Sequence, residues 1–320
     1  MSQTTDRVHE LRDKGLITQE QMNELLAALE SAETNNRASV QEPTLQAESV
    51  QPSAPIVPVQ VAGGRLTVRL ISEDLDVRGV QGLAAVRVVH GQSTVRTHHN
   101  GNSVEIESGL TAGEFHGFSF SFGFGGDGEP VELEVPADMP CELKSVSGDI
   151  TVSDLTGETV VHSVSGDVRV SRVADLRSAQ STSGDVDLEA CFVDGDVISK
   201  SGDVQVQGST IRGMLKSYSG DVAVHDSVLN DTDVLSFSGD VRLEGVTIQG
   251  GARLKTTSGD ISAELDQHDV VVDVNTRSGE ATVTGPGVDI ETSHQRIPVG
   301  LATVELSVRT GSGDIDVQLN

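Results

Sequence analysis

The tripeptide Ser-Gly-Asp returns along this chain at a fixed interval. It begins at Ser147, Ser165, Ser183, Ser201 and Ser219, each eighteen residues after the last. It recurs at Ser238 and Ser258, as Ser-Gly-Glu at Ser278, and again at Ser312, with spacings of nineteen, twenty, twenty and thirty-four. A short fixed period marks a repeat architecture in which each unit packs mainly on its neighbours. The long last gap holds a degenerate unit: Ile290 to His294 aligns with Leu143 to Ser147, and Ile297 and Val299 follow in register. Ten units are therefore expected from about residue 143 to the end of the sequence.

Aligned on the motif, the units form columns. Four positions before the serine every residue is apolar, from Leu143 and Val161 to Val308; two before it every residue is Ser or Thr, from Ser145 to Thr310. After the Gly-Asp pair come Ile150, Val168 and Val186, then Val152, Val170 and Leu188, and so on down the chain. The positions between vary and are mostly polar. This is period-two alternation on both sides of a turn, so the unvaried face points inward and equivalent residues stack in parallel, in-register coils. Glycine permits a positive φ or a close approach of neighbouring backbone, and the aspartate can accept a backbone N–H in the turn. The inward hydroxyls need partners, most simply each other or backbone carbonyls along the stack.

The expected fold is all-β: a parallel β-solenoid (β-helix) with coils of about 18 residues, plus a short N-terminal α-hairpin. Parallel crossover connections favour the right hand, and the six-residue subperiod of a left-handed hexapeptide helix is missing. Residues 1–31 read as the helical hairpin, with Gly15 at a C-cap, Thr18 and Gln21 as a capping box, and Met22, Leu25, Leu26 and Leu29 at helical spacing. Residues 32–60 read as a proline-bearing disordered linker, and 61–320 as the solenoid, less regular before about 143. In that less regular part Phe118, Phe120, Phe122 and Phe124 alternate along one strand face, and are expected to plug an open solenoid end.

Composition narrows the function. With 49 acidic residues against 22 basic, a net charge of -27, the chain as a whole repels nucleic acid and anionic membrane. Aromatic residues are 2% of the sequence, so the core is aliphatic. No apolar stretch is long enough to span a membrane, and no signal peptide is evident; the expectation is a cytoplasmic protein, with room for association at the cell surface.

The recurring S-x-SGD-[VI]-x-V units, preceded by Val131-Glu132-Leu133-Glu134-Val135-Pro136, resemble the bacterial putative-adhesin family of β-strand repeats. The hairpin, Leu11-x-x-x-Gly15-Leu16-Ile17-Thr18-x-Glu20-Gln21, resembles the SHOCT-like domain that precedes such repeats in envelope-stress proteins of the LiaX type. The resemblance implies a β-solenoid with an envelope-stress or surface role, and it supplies no catalytic residues.

The residues themselves bring no catalytic motif, and none of HExxH, GxSxG or a Walker loop occurs. No catalytic residue, cofactor-binding residue or cofactor is assigned. Cys141 and Cys191 read as small buried thiols beyond disulfide reach, and His98-His99, before Asn100-Gly101, as an exposed loop. The one metal-like feature is the carboxylate ladder Asp149, Asp167, Asp185, Asp203, Asp221, Asp240 and Asp260, continued by Glu280 and Asp314. Stacked at ~4.8 Å, neighbouring carboxylates would repel by roughly 1 kcal/mol in water; turn hydrogen bonds relieve this more simply than cations, since calcium wants more oxygens than one per coil. A second candidate is the outward column before the motif, Val146, Val164, Thr182, Lys200, Tyr218, Phe237 and Thr257, as a stripe for a peptide or glycan, although such residues also suit any exposed strand.

The function expected from these readings is a non-catalytic structural or binding scaffold. It would bind a protein partner or self-associate through the N-terminal hairpin or the C-terminal solenoid edge, where Asp314 to Leu319 ends without an evident cap. The competing expectations are a carbohydrate-active enzyme of the β-helix type and a cytoplasmic stress-signalling component.

Overall fold

A computed structural model describes residues 59–60, 64–100, 103–108, 129–301 and 303–320, all within a unit spanning 56–320. The expected hairpin, nearly all of the expected linker and the Phe118–Phe124 run lie outside the described residues. Among the described residues there are 26 strands and no helix, and the chain is an all-β solenoid. Strand β1 (Val59–Gln60) pairs antiparallel with β4 (Ala85–His90).

The regular middle consists of two-strand coils. A first sheet carries the strand before each Ser-Gly-Asp corner, and a second sheet carries the strand after it. Their strands alternate from β8 (Cys141–Ser145) and β9 (Ile150–Ser153) through β10 (Thr159–Ser163), β11 (Val168–Ser171), β12 (Leu176–Ser181) and β13 (Val186–Glu189). They continue through β14 (Phe192–Ser199), β15 (Val204–Gln207), β16 (Thr210–Ser217), β17 (Val222–His225) and β18 (Val228–Ser236) to β19 (Val241–Ser258), which winds through a whole coil, and β20 (Ile261–Leu265). Pairing is parallel and in the expected register: Val161 faces Leu143, Val168 faces Ile150, and Val204 faces Val186. The inward columns are sealed. Leu143, Val161, Ala179, Val197, Leu215 and Val234 are all 0% exposed, as are Ile150, Val168, Val186, Val204 and Val222. Each such Val or Leu contributes roughly 1.5–3 kcal/mol by burial, and it does so only against the coils above and below.

A second corner follows seven residues after each motif serine from Ser147 to Ser238. Asp154, Arg172, Ala190, Gly208, Asp226 and Gly245 all hold positive φ there, between 48° and 62°. Behind it lies another buried column: Leu155, Val173, Cys191, Ser209, Ser227 and Val246. The sequence motif does not announce this corner, because only two of its six residues are glycine.

The two ends are built differently from the middle and alike to each other. At the N-terminal end the chain starts on β2 (Leu66–Leu70) and β3 (Leu75–Val80), which pair with β8 and β9 on one side. On their other side lie β6 (Ser103–Ser108) and β7 (Val131–Pro136), also parallel. Strand β5 (Val95–Asn100) and β4 then cover β6 and β7 antiparallel. The first coil in sequence is thus second in space. At the other end β21 (Val270–Thr276) and β22 (Ala281–Gly285) form the outermost coil, covered antiparallel by β24 (His294–Pro298) and β23 (Val288–Thr292). The last coil, β25 (Val304–Ser312) and β26 (Ile315–Leu319), slides between β19/β20 and β21/β22.

This arrangement corrects two expectations. Residues 290–299 are not a tenth coil but part of the antiparallel cover: Ile297 and Val299 are buried, yet Ile297 faces Val272 on a reversed strand. The C-terminal strand is not an open edge, because β26 is hydrogen-bonded on both sides, so edge-to-edge pairing through it is ruled out. The physical reason is shared. A parallel stack leaves unpaired edges at both ends, and a reversed strand with exposed polar residues, such as Arg96, His98 and His99 on β5 or His294, Gln295 and Arg296 on β24, covers the edge and presents a poor template for further pairing.

Candidate functional site

The Ser-Gly-Asp corner is where chemistry-bearing side chains concentrate. The buried hydroxyl two residues before the motif does two jobs. Ser199 Oγ accepts the N–H of Gly202 at 2.9 Å and donates to the carbonyl of Gly184, one coil below, at 2.9 Å. Ser181, Ser217 and Ser236 repeat both contacts. The hydroxyls therefore bond to backbone and not to each other. The motif glycine is required by close approach: a Cβ on Gly184, Gly202 or Gly220 would be driven into the carbonyl oxygen of the glycine one coil below.

The carboxylate ladder is equally committed. Asp149 Oδ1 accepts the backbone N–H of Asp167 at 2.9 Å, Asp185 Oδ1 that of Asp203 at 2.8 Å, and Asp203 Oδ1 that of Asp221 at 2.8 Å. The spatial order follows the end topology, with Asp314 between Asp260 and Glu280. Asp74 begins the ladder by accepting from Asp149; the sequence reading missed it because Glu73 stands where the glycine belongs. Arg169 reaches Asp149, Asp167 and Asp187 at 3.2, 2.7 and 3.7 Å, offsetting repulsion between neighbours. Among the described residues no three His, Cys, Asp or Glu side chains converge to hold a metal ion.

Glu73 is buried, and burial alone would raise its pKa. The Ser108 hydroxyl and the N–H groups of Ser72, Glu73 and Ile71 outweigh that and hold the carboxyl below its usual range. At the opposite end a hydrogen bond with Glu291, and its charge, push Glu280 up.

On the outside of the first sheet, the column just before the motif serine is exposed as expected. Val146 and Val164 are 47% exposed, Tyr218 43% and Phe237 58%, and Ile71 joins the column at 40%. The next outward column on the same sheet runs Arg69, Lys144, His162, Gln180, Ile198, Lys216, Leu235, Lys255, Arg309 and Asn275 in spatial order. From the Arg69 coil to the Arg277 coil these two columns carry seven Lys or Arg residues and no carboxylate. Lys216 Nζ lies 4.1 Å from the Tyr218 ring centre and 3.0 Å from its hydroxyl, lowering the tyrosine pKa. Across the corner, the same ten coils present the unbroken acid ladder.

A family model described as Toastrack DUF4097 matches residues 65–318. The chain belongs to that family. The Toastrack match covers every coil and both antiparallel covers, and it places the resemblance to putative adhesins in a domain of unknown function; the SHOCT-like segment lies outside the described residues. Two solved structures resemble the Toastrack chain at low identity. One is a putative cell adhesion protein from Clostridium sporogenes, 12% identical with a TM-score of 0.21, covering 83% of this chain and 97% of its own. The other is a putative adhesin from Bacteroides fragilis, 13% identical with a TM-score of 0.35, covering 84% of this chain and 100% of its own. No curated protein matches.

The remaining reactive groups of the Toastrack domain are structural. Cys141 is free and buried, and burial pushes its thiol up to about 12; Cys191, also buried, is raised for the same reason. Cys191 belongs to a second ladder that sequence reading missed: its N–H donates to Ser209 Oγ at 2.9 Å, and the N–H of Ser209 donates to Ser227 Oγ at 3.0 Å. The small residues behind the second corner were its only signal. His98 and His99 are exposed as expected, but they sit on strand β5 and not in a loop. No helix among the described residues is long and apolar enough to cross a membrane.

Proposed function

We propose that this Toastrack chain is a non-catalytic scaffold that presents a rigid, repetitive outer surface for binding. The observation that carries this reading is the commitment of the repeat's polar groups: the buried hydroxyl two residues before each coil's motif and the first oxygen of each motif aspartate bond to backbone of their own or a neighbouring coil. A group held this way lacks the freedom that a general acid or nucleophile needs. The hairpin expected at 1–31, on the linker expected at 32–60, supplies a tether for a protein partner or a second copy, in keeping with an envelope-stress role at the cell surface.

Screening the full chain against neutral and anionic polysaccharides is expected to give no new reducing ends. Turnover above that of a heat-denatured control would overturn the scaffold reading. Light scattering is expected to find more than one copy per particle, with reversion to single copies on Leu25→Asp with Leu29→Asp. A single copy in both samples would remove the tether from the proposal.

A further inference from the structure

The charge of this molecule is segregated more sharply than its composition requires. In a chain with 49 acidic and 22 basic residues, two adjacent columns spanning ten coils hold Arg69, Lys144, Lys200, Lys216, Lys255, Arg309 and Arg277 and no acid. Lys144 and Arg309 lean on the flanking carboxylates Glu142 and Asp273, and Arg69 on Glu107. Among the described residues, Lys200, Lys216, Lys255 and Arg277 pair with none. A solvated face of an acidic protein gains by pairing its cations; leaving the central ones unpaired suits an anion from outside.

Two of the exposed aromatic residues fall in the same place: Tyr218 and Phe237 are exposed and occupy successive coils of the stripe, as the facing of Ser217 with Ser236 fixes. Lys200 is one coil from Tyr218, and Lys216 lies beside its ring. Flat apolar rings flanked by ammonium groups match a ligand that alternates a carbon-rich face with a negative charge. The stripe is also periodic, with one position of each column every ~4.8 Å, about the rise of one ring in an extended sugar chain.

We infer that the stripe running through Lys200, Lys216, Tyr218, Phe237 and Lys255 binds an extended anionic glycan laid along the stack, with its carboxylates on the lysines and sugar faces on the two rings. The inference rests on the scaffold reading and names its ligand. The geometry disfavours the other anions. A membrane is planar and would meet the acid ladder one corner away, at a net charge of -27. Polyphosphate and single-stranded nucleic acid carry a charge on every unit and suffer more from that ladder than a glycan charged on every second ring. A peptide strand cannot add by backbone pairing, because the stripe lies on a sheet face and not on an edge.

Affinity electrophoresis of the full chain in gels holding hyaluronan, with dextran, inorganic polyphosphate and phosphatidylglycerol vesicles as parallel probes, tests this. Hyaluronan is expected to retard the chain and dextran to leave it unretarded. Lys216→Glu is expected to weaken retention about tenfold, the size of one lost charge-assisted contact, and Tyr218→Ala with Phe237→Ala by about tenfold. Arg242→Glu, the same charge change on the second sheet, should leave retention unaltered, and melting by circular dichroism reports whether each variant folds. The inference is overturned if hyaluronan does not retard the chain, if Arg242→Glu weakens retention as much as Lys216→Glu, or if polyphosphate or the vesicles bind more tightly than hyaluronan. New reducing ends in the gel would instead overturn the scaffold reading while leaving the glycan surface in place.

Discussion

The middle of this solenoid and its two ends obey different rules. From β8 to β20 the order of coils in space is their order in the sequence, and from β12 to β18 each coil repeats the same hydroxyl, glycine and carboxylate contacts. At each end the order breaks: the first and last coils of the chain sit second in the stack, and two reversed strands cover the coil outside them. In the middle a coil has a partner above and below by default, so a local pattern suffices. At an end the outer partner is missing, and the chain must double back to supply it. The exchange locks each terminal segment between two coils, where fraying of the last strand would expose the buried columns on both sides.

Removing residues 304–320 is the strongest way to break that comparison. In a solenoid that ended at its last coil, such a deletion would cost one interface. Here it opens a gap beneath β21 and β22, so hydrogen-exchange protection of 270–299 is expected to vanish while that of 141–236 persists. Retained protection of 270–299 would show that the outer coil needs no wedge.

Gly184→Ala probes the middle. With a Cβ aimed at the Gly166 carbonyl, a loss of about 3 kcal/mol is expected in urea melts, at the top of the usual overpacking range. The hydroxyl column then separates the centre of the middle from its first coil. Ser199 both accepts from Gly202 and donates to Gly184, whereas Ser145 only accepts from Gly148. Ser199→Ala should cost about 2 kcal/mol and Ser145→Ala about 1 kcal/mol, since fewer groups are left unpaired; equal losses would mean that the bond to the coil below contributes nothing. Ala190, at φ 53° in the second corner, is strained where Gly208 is not, so Ala190→Gly should stabilise by about 1 kcal/mol.

The smallest effect expected is at Glu73. Its folded pKa lies below the unfolded value, so its contribution is present above that unfolded value and fades as pH falls below about 4. Replacing it by Gln should flatten the acid limb of a stability–pH curve while leaving the neutral region nearly level. An unchanged acid limb would show that Ser108 and its neighbours do not hold the ionised form.

Much of this was legible in the residues. Columns such as Leu143, Val161 and Ala179 fix the inward face, and eighteen-residue spacing fixes the coil. The exposed column from Val146 to Phe237 was legible too, but its full charge pattern was not. Lys200 and Lys216 belong to separate columns of the repeat, and only the parallel register places Lys255, Arg309 and Asn275 next to one another across a break in chain order. Asp74 was hidden by the glutamate before it, and the second corner by the variety of residues that adopt positive φ there.

The sequence by itself determined the layer: a two-sided coil with an aliphatic interior, a hydroxyl-and-glycine corner and a carboxylate beside it. These follow from period-two alternation and from contacts that repeat with the chain. Only the tertiary structure decided which coil lies next to which at the ends, and therefore that residues 290–299 reverse and that β26 is enclosed. All coils carry nearly the same inward columns, so a terminal coil fits several neighbours almost equally well, and it is the need to cover the outermost edges that selects among them.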